Sequence, residues 1–316
     1  VKEIAKGNLD RKLILSTGDE IEYLANCMNS MTSELKSEME RVAVAASERE
    51  RTATEMRVAS KIQLALLPNT FPAFPERNEF DIYAAMKPAK DVGGDFYDYY
   101  LVDGDHLAIT IGDVSGKGVP AALFMAAAKT QLKNFILKTK NGEDLAGAIA
   151  CANGQICDSN EAGMFVTGFI GILQLTSGRF SYVNAGNLPP FIKRRGAGAY
   201  ESLPVPTRKT PMGMSKDIAF EVEAICLHVG DRLFFFTDGV PEAKNKDGDM
   251  FTVETLRVIL NQADEGSARD VIVRVENSLS EHIGDAEDSD DLSMIAFEYK
   301  GPQIIEADNM GGNDNG

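Results

Sequence analysis

The chain has 316 residues, 44% of them hydrophobic and 25% charged, with a formal net charge of −16. That length suits one large globular domain plus an appendage, and so acidic a field repels phosphate backbones and anionic lipid, which argues against a nucleic-acid partner. The four cysteines (Cys27, Cys151, Cys157, Cys226) lack Cys-x-x-Cys spacing and there are only three histidines, which argues against a disulfide framework or a structural zinc site.

Between Glu20 and Leu67 there is neither Gly nor Pro, and Ile21, Leu24, Met28, Met31 and Leu35 recur at spacings of three and four as a heptad a/d seam. Continuing the register puts Glu38, Val42, Ala45, Arg49 and Thr52 on the seam, which deteriorates there, and Met56 and Ala59 partly restore it. Ile62 and Leu66 follow on a shifted phase, the mark of a stutter. The pattern predicts one long helix, or two in line, and a parallel homodimer through it. A helix folded onto its own domain is the plainer alternative. Thr17 or Asp19 is placed to cap the helix start, and Pro68, Pro72 and Pro75 forbid its continuation.

From Phe80 onward the apolar runs become short: "FDIYAAM", "HLAITIGDV", "MFVTGFIGILQL", "RFSYVNAG", "FEVEAICL", "DRLFFFTDGV" and "LSMIAFEY". Separated by Gly, Asp and Asn turns, they read as strands. Helices are expected near 119–137, 142–158, 253–262 and 267–282. Strands in runs, with helices grouped between them, predict an α+β layered fold and not a doubly wound sheet. The closing "ADNMGGNDNG" is polar and Gly-rich and reads as a disordered tail.

The stretch "GDVSGKG", residues 112–118, has the look of a phosphate loop, but Gly112 and Gly116 enclose three residues where a Walker loop needs four, and Gly118 stands where its Ser or Thr should be. What remains is Asp113 at the end of an apolar run. The same placement recurs at Asp95 in "VGGDFYD", Asp238 in "FFFTDGVPEA", and Asp290 with Asp291 in "DSDDLSMIAF". One Asp at a strand end is usually a turn former. If the four converge, pairs about 4 Å apart repel by ~4 kcal/mol even at an effective dielectric of about 20. Such a cluster needs cations, and all-oxygen donors select Mg²⁺ or Mn²⁺. From the residues alone, a two-metal hydrolytic centre and unconnected turn aspartates both stand. Gly93, Gly94, Gly116 and Gly239 flank these acids and would let backbone approach the centre where a Cβ would obstruct; tight turns are their plainer use.

Taken in order, "VGGDFYDYY", "GDVSGKGVPAALFMA", "MFVTGFIGIL", "YVNAGNLPPFI", "FFFTDGVPEAKN" and "DDLSMI" resemble the bacterial PP2C-type (PPM) serine/threonine phosphatases, and more narrowly their SpoIIE/RsbU branch. "VASKIQLALLP" at 58–68 resembles the helix leading into that branch's catalytic domain, so the likeness spans about residues 55–299. It implies a PP2C-like layered β-sandwich flanked by helices, preceded by a long coiled-coil-like helix. It also implies two Mn²⁺ or Mg²⁺ ions and attack on phosphorus by a water that bridges them. Carried over by position, Asp113 bridges both metals and Asp95 binds or orients a metal-bound water beside it. Val114 lends its backbone carbonyl, and Asp238 and Asp290 complete the other site, with Asp291 as the alternative to Asp290. Eukaryotic members grip the substrate phosphate with an Arg near the first Asp. No Arg closely precedes Asp95, which leaves Lys90 or Lys87 as a point-charge substitute, against plain surface solvation for either. Asn187 stands where relatives often carry His.

In that branch the usual substrate is a phosphoserine or phosphothreonine on a STAS-domain anti-anti-sigma factor, within a partner-switching pathway. Two other readings compete. One is a phosphatase-shaped scaffold without turnover, against which the presence of all four acids counts; the other is a hydrolase of small phosphorylated metabolites or nucleotides.

The opening "IAKGNLDRKLILSTGDEIEYLANCMNSMTSEL" resembles the second half of a HAMP signalling module through "GNLD", "GDEIEYL" and "CMNSM". This implies a HAMP-like segment at 1–36, a helical linker at 37–67, a phosphatase domain at 68–300 and a disordered tail at 301–316. It also implies that the chain is the cytoplasmic part of a protein anchored in a bacterial membrane upstream of Val1. The imperfect heptads between Arg49 and Ala59 suggest a bistable linker, whose rotation would move "VASKIQLALLP" against the catalytic sheet.

Overall fold

The computed structural model describes residue 4 and residues 7–139, 143–206, 210–262, 266–286 and 289–302; residues 303–316, nearly all of the expected tail, lie outside the described residues. The chain divides into two compact units, Val1–Ala59 and Ser60–Gly316, and the boundary falls inside the helix α1 (Glu20–Leu66).

In the first unit, the Asp19 carboxylate accepts the backbone N–H of Ile21 at 3.1 Å and so caps the helix start. The side chain of Asn29 holds the preceding extended segment against the helix. Its Oδ1 accepts from Leu13 N and its Nδ2 donates to Leu13 O, both at 2.8 Å. The seam residues Ile21, Leu24, Met31 and Leu35 are all at least half exposed.

In the second unit, two antiparallel five-stranded sheets are present among the described residues. The first has the order β1 (Phe80–Lys87), β10 (Leu292–Tyr299), β9 (Arg232–Phe236), β6 (Phe191–Lys193), β7 (Glu201–Ser202). The second runs β2 (Phe96–Leu101), β3 (His106–Val114), β4 (Val166–Gln174), β5 (Arg179–Ala185), β8 (Glu223–Cys226). Alternation along β9 explains the layering. Leu233 and Phe235 enter the core that includes the second sheet, whereas Phe234 and Phe236 enter a separate core with the later helices. On β10, Ile295 and Phe297 join the first core, and Met294 and Ala296 the second. At β9 and β10 this sheet is therefore buried on both faces, and "LFFF" accordingly reads as an unbroken apolar run.

Helices close both outer faces. α2 (Val119–Ile136) buries the stripe Ala121, Met125, Ala128, Leu132, Ile136, at the helical period, and contributes to the same core as the second sheet, together with α3 (Leu145–Asp158). After the single turn α4 (Gly239–Glu242), α5 (Val253–Asn261) and α6 (Ala268–Ile283) cover the first sheet. α6 opens with a reciprocal capping box between Ser267 and Asp270. The α+β layered architecture expected from the sequence is present. α3 starts at Leu145 and not at 142, because Asp144 is its cap, accepting Gly147 N at 2.9 Å; position 142 itself lies outside the described residues. β2 is not among the strands the sequence predicts. It is buried on both faces, so "FYDYYL" has no polar–apolar alternation to announce it.

Phe169 of β4 joins the two sheets, its ring 5.2 Å from Tyr182 and 5.5 Å from Phe235 of β9. It is fully buried. Phe169→Ala should lower the unfolding free energy by about 3–5 kcal/mol, read as a shifted urea midpoint at unchanged slope.

Candidate active site

Strand register brings the acids to one end of both sheets. Phe96 pairs with Gly112, so Asp95 and Asp113 emerge side by side from the second sheet. Met294 pairs with Phe236, so Thr237 faces Ser293, and Asp238 and Asp290 leave the first sheet one step beyond Thr237 and a few residues before Met294. Thr237 ties the two sheets together. Its fully buried hydroxyl donates to Asp95 Oδ2 at 2.7 Å and accepts the N–H of Ser293 at 3.1 Å.

Burial and like charge then set the electrostatics. Asp95 is 1% exposed, and its carboxyl is pushed well above the ordinary range by burial first and by Asp113 second, with the Thr237 hydrogen bond working the other way. Asp113 is pushed up to about 7 by burial, then by Asp238, Asp290 and Asp291. Burial, followed by Asp290, also raises Asp238, while Lys117 opposes that rise. Lys117 pairs with Asp290 Oδ2 at 3.0 Å.

Asp291, the alternative to Asp290, is committed elsewhere. Its carboxylate accepts the backbone N–H of Ala89 at 2.8 Å, of Gly94 at 2.6 Å and of Asp95 at 3.4 Å. It holds the turn ahead of β2 in shape, which leaves Asp290 as the freer acid of the two. The glycines around it follow from that packing. A Cβ on Gly93 would lie 2.1 Å from Asp291 Oδ2, one on Gly94 2.6 Å from the Val114 carbonyl oxygen, and one on Gly239 1.9 Å from the Asp291 carbonyl oxygen. Close approach does not apply at Gly116. There a Cβ would meet only Met164 Cε at 3.8 Å, and the φ of 92° is what calls for glycine.

Lys90 is exposed and takes part in no ion pair among the described residues; Lys87 is likewise exposed. Asn187 is buried and donates to the Phe236 carbonyl at 3.2 Å, steadying the residue before Thr237. Sequence reasoning missed Thr237, Lys117 and Gln63. Gln63, near the end of α1 and within the second unit, is buried. It accepts Gly93 N–H at 3.0 Å and donates its own amide to Gly93 O. Its signal was a lone polar side chain inside "IQLALL"; that of Thr237 was a lone hydroxyl closing an apolar buried strand.

Carboxylate and carbonyl oxygens of this kind suit hard divalent cations, and the repulsion that lifts Asp95, Asp113 and Asp238 is what such cations relieve. Among the described residues no three His, Cys, Asp or Glu side chains are gathered closely enough to enclose an ion. The site is a convergent set of acids and not a closed shell. A cavity of about 450 Å³ lies at the other strand ends, lined by His106, Gln174, Arg179 and Ser181, away from the acids.

The family described as Stage II sporulation protein E (SpoIIE) matches residues 103–300. The chain is similar to Protein IcfG of Synechocystis sp., 28% identical over an alignment of 320 residues covering 93% of this chain and 49% of IcfG. It is also similar to phosphoserine phosphatase RsbU of Bacillus subtilis, 26% identical over 247 residues covering 78% of this chain and 70% of RsbU. The chain thus spans about half the length of IcfG. Its fold resembles the SiaA-PP2C domain of Pseudomonas aeruginosa with a TM-score of 0.68 and 21% identity, covering 80% of this chain and 98% of that domain.

The raised Asp113 carboxyl has a consequence for stability. The folded chain binds that proton up to about pH 7, and the unfolded chain only to the ordinary value of 3.8. Without metal, the contribution of Asp113 to stability is therefore fully present below about pH 4 and is lost as pH rises through about 7. Thermal melts in chelator should show the midpoint falling over that window by more in the wild type than in Asp113→Asn.

Proposed function

The chain belongs to the SpoIIE family, and on that footing we propose that it is a metal-dependent phosphoprotein phosphatase that hydrolyses phosphoserine or phosphothreonine. The observation that carries this reading is the convergence of Asp95, Asp113, Asp238 and Asp290, where burial and mutual repulsion raise the first three. Acids pressed together in this way mark chemistry more often than architecture.

In this reading Asp95, Asp113, the Val114 carbonyl, Asp238 and Asp290 would together hold two Mn²⁺ or Mg²⁺ ions. When bound, the ions supply Lewis acidity, which makes hydroxide available near neutral pH and offsets charge on the phosphoryl oxygens. The remaining residues hold the donors in place. Thr237 fixes Asp95, Asp291 and Gln63 fix the Gly93–Gly94 turn, and Asn187 fixes the strand end ahead of Thr237.

The likeness to RsbU, a phosphoserine phosphatase, supports a phosphorylated protein as substrate. We take it to be a STAS-domain anti-anti-sigma factor in a partner-switching pathway. The exposed seam of α1 supports a parallel homodimer. The resemblance of 1–36 to a HAMP segment is the sole ground on which we read the chain as the cytoplasmic output module of a membrane-anchored protein. No helix among the described residues is long and apolar enough to cross a membrane. The grip of Gln63 on Gly93 supports regulation through the linker between Arg49 and Ala59.

Hydrolysis of p-nitrophenyl phosphate is expected to require Mn²⁺ or Mg²⁺. It should fall in Asp113→Asn by more than the ~10–100-fold that loss of an outer-shell partner costs. Metal-independent turnover that survives the substitution would overturn the reading. Repairing the seam with Arg49→Leu and Thr52→Leu should strengthen the dimer in sedimentation and change basal turnover; if neither moves, the linker has no regulatory part.

A further inference from the structure

The turn between β3 and α2 carries Lys117 between two glycines of positive φ, Gly116 at 92° and Gly118 at 77°. The tight turn aims its side chain off the second sheet and across the site mouth. There the ammonium donates to the Ser289 carbonyl at 2.5 Å and pairs with Asp290 Oδ2 at 3.0 Å. Both partners are in the loop leading to β10 of the other sheet. The Lys117 and Asp290 side chains are 43% and 38% exposed, so the pair lies at the solvent edge and can exchange partners without unfolding anything. Buried lysine pairs behave differently. Lys129 holds the buried Asp98 at 2.7 Å and is itself 11% exposed.

We propose that Lys117 is the residue that binds the phosphate of the substrate. The proposal rests on the phosphatase reading above and adds to it the group that grips phosphate. The ammonium now neutralises Asp290, an acid that the reading gives to a divalent ion. A divalent cation held by Asp290 would weaken the hold of that carboxylate on the ammonium, by sharing its charge and by like-charge repulsion. Lys117 would then be an under-neutralised cation at the site mouth, and a phosphomonoester dianion is the partner that would restore its charge balance. An ammonium on a flexible stem suits that exchange because it binds phosphate as a point charge and needs no fixed fork. It also accounts for phosphate recognition in a chain with no Arg close before Asp95 and with Lys90 exposed and unpaired among the described residues. The "GDVSGKG" turn thus serves a phosphate after all, through one side chain and not through a Walker cradle.

The test uses the full chain as wild type, Lys117→Gln, Lys117→Arg and Lys90→Gln. Two binding measurements need no turnover: Mn²⁺ affinity by electron paramagnetic resonance of free Mn²⁺, and inorganic phosphate affinity of the Mn²⁺-loaded protein by calorimetry. Lys117→Gln should bind Mn²⁺ several-fold more tightly, because a competing cation is gone. It should bind phosphate at least about tenfold more weakly, the scale of a lost charge-assisted hydrogen bond, and KM for p-nitrophenyl phosphate should rise in step with kcat little changed. Lys117→Arg should restore phosphate affinity to within a few-fold. Unchanged phosphate affinity in Lys117→Gln, or a loss in Lys90→Gln instead, overturns the assignment and leaves the phosphatase reading intact. A wild type without metal-dependent turnover counts against that reading alone, since the binding results still decide the role of Lys117.

Discussion

The hydroxyl of Thr237 joins the two sheets at the point where the acids converge. By donating to Asp95 and accepting from Ser293 N–H, it supplies one of the few favourable contacts available to a carboxyl that is almost fully buried. Without such a donor, an acid at that depth would be expelled or permanently protonated. Most of the surroundings serve the same end. Asp291 spends its carboxylate on the amides ahead of β2, and Asn187 anchors the end of β9. The acids keep their places because neighbouring backbone groups are held by other side chains.

The contrast with the other buried acids makes the distinction sharper. Asp98 meets Lys129 and Lys133 of α2. Asp231 is held below the ordinary range despite its burial, by the amides of His228 and Arg195 and by the Arg194 guanidinium. Those two are satisfied within the fold. Asp95 and Asp113 are raised, so the fold alone does not satisfy them. Both kinds occur within one motif: in "VGGDFYDYY", Asp95 and Asp98 are three residues apart, and strand alternation sends one to the site and the other to a helix.

What the sequence made legible follows the range of the interactions. β3 is visible because "HLAITIGDV" is a strand-length apolar run with a polar stop. The four acids are visible because each borders an apolar run or a glycine pair, Asp113 and Asp238 at the close of β3 and β9, Asp290 ahead of β10 and Asp95 after Gly93-Gly94. The long helix was visible from its heptads and from the prolines after it. β2 was hidden by burial on both faces. Thr237, Gln63 and Lys117 were hidden because their partners lie 142, 30 and 172 residues away along the chain, and no local pattern records a contact of that span. The choice between Asp290 and Asp291 was open for the same reason; only the fold shows which carboxylate already has amides to hold.

The grip of Gln63 on Gly93 has a discreteness that its small size conceals. One amide side chain satisfies both the N–H and the C=O of a buried residue. Its helix neighbours on either side, Ile62 and Leu64, have neither donor nor acceptor. Turning the helix by one residue is a step of about 100°, and it would set a hydrocarbon against two polar backbone groups, each costing about 1–3 kcal/mol when left unpaired. The helix end therefore behaves as a key with one fitting position. Small torsional fluctuations would leave both bonds in place, and only a displacement large enough to break the two together would disturb the turn that carries Asp95.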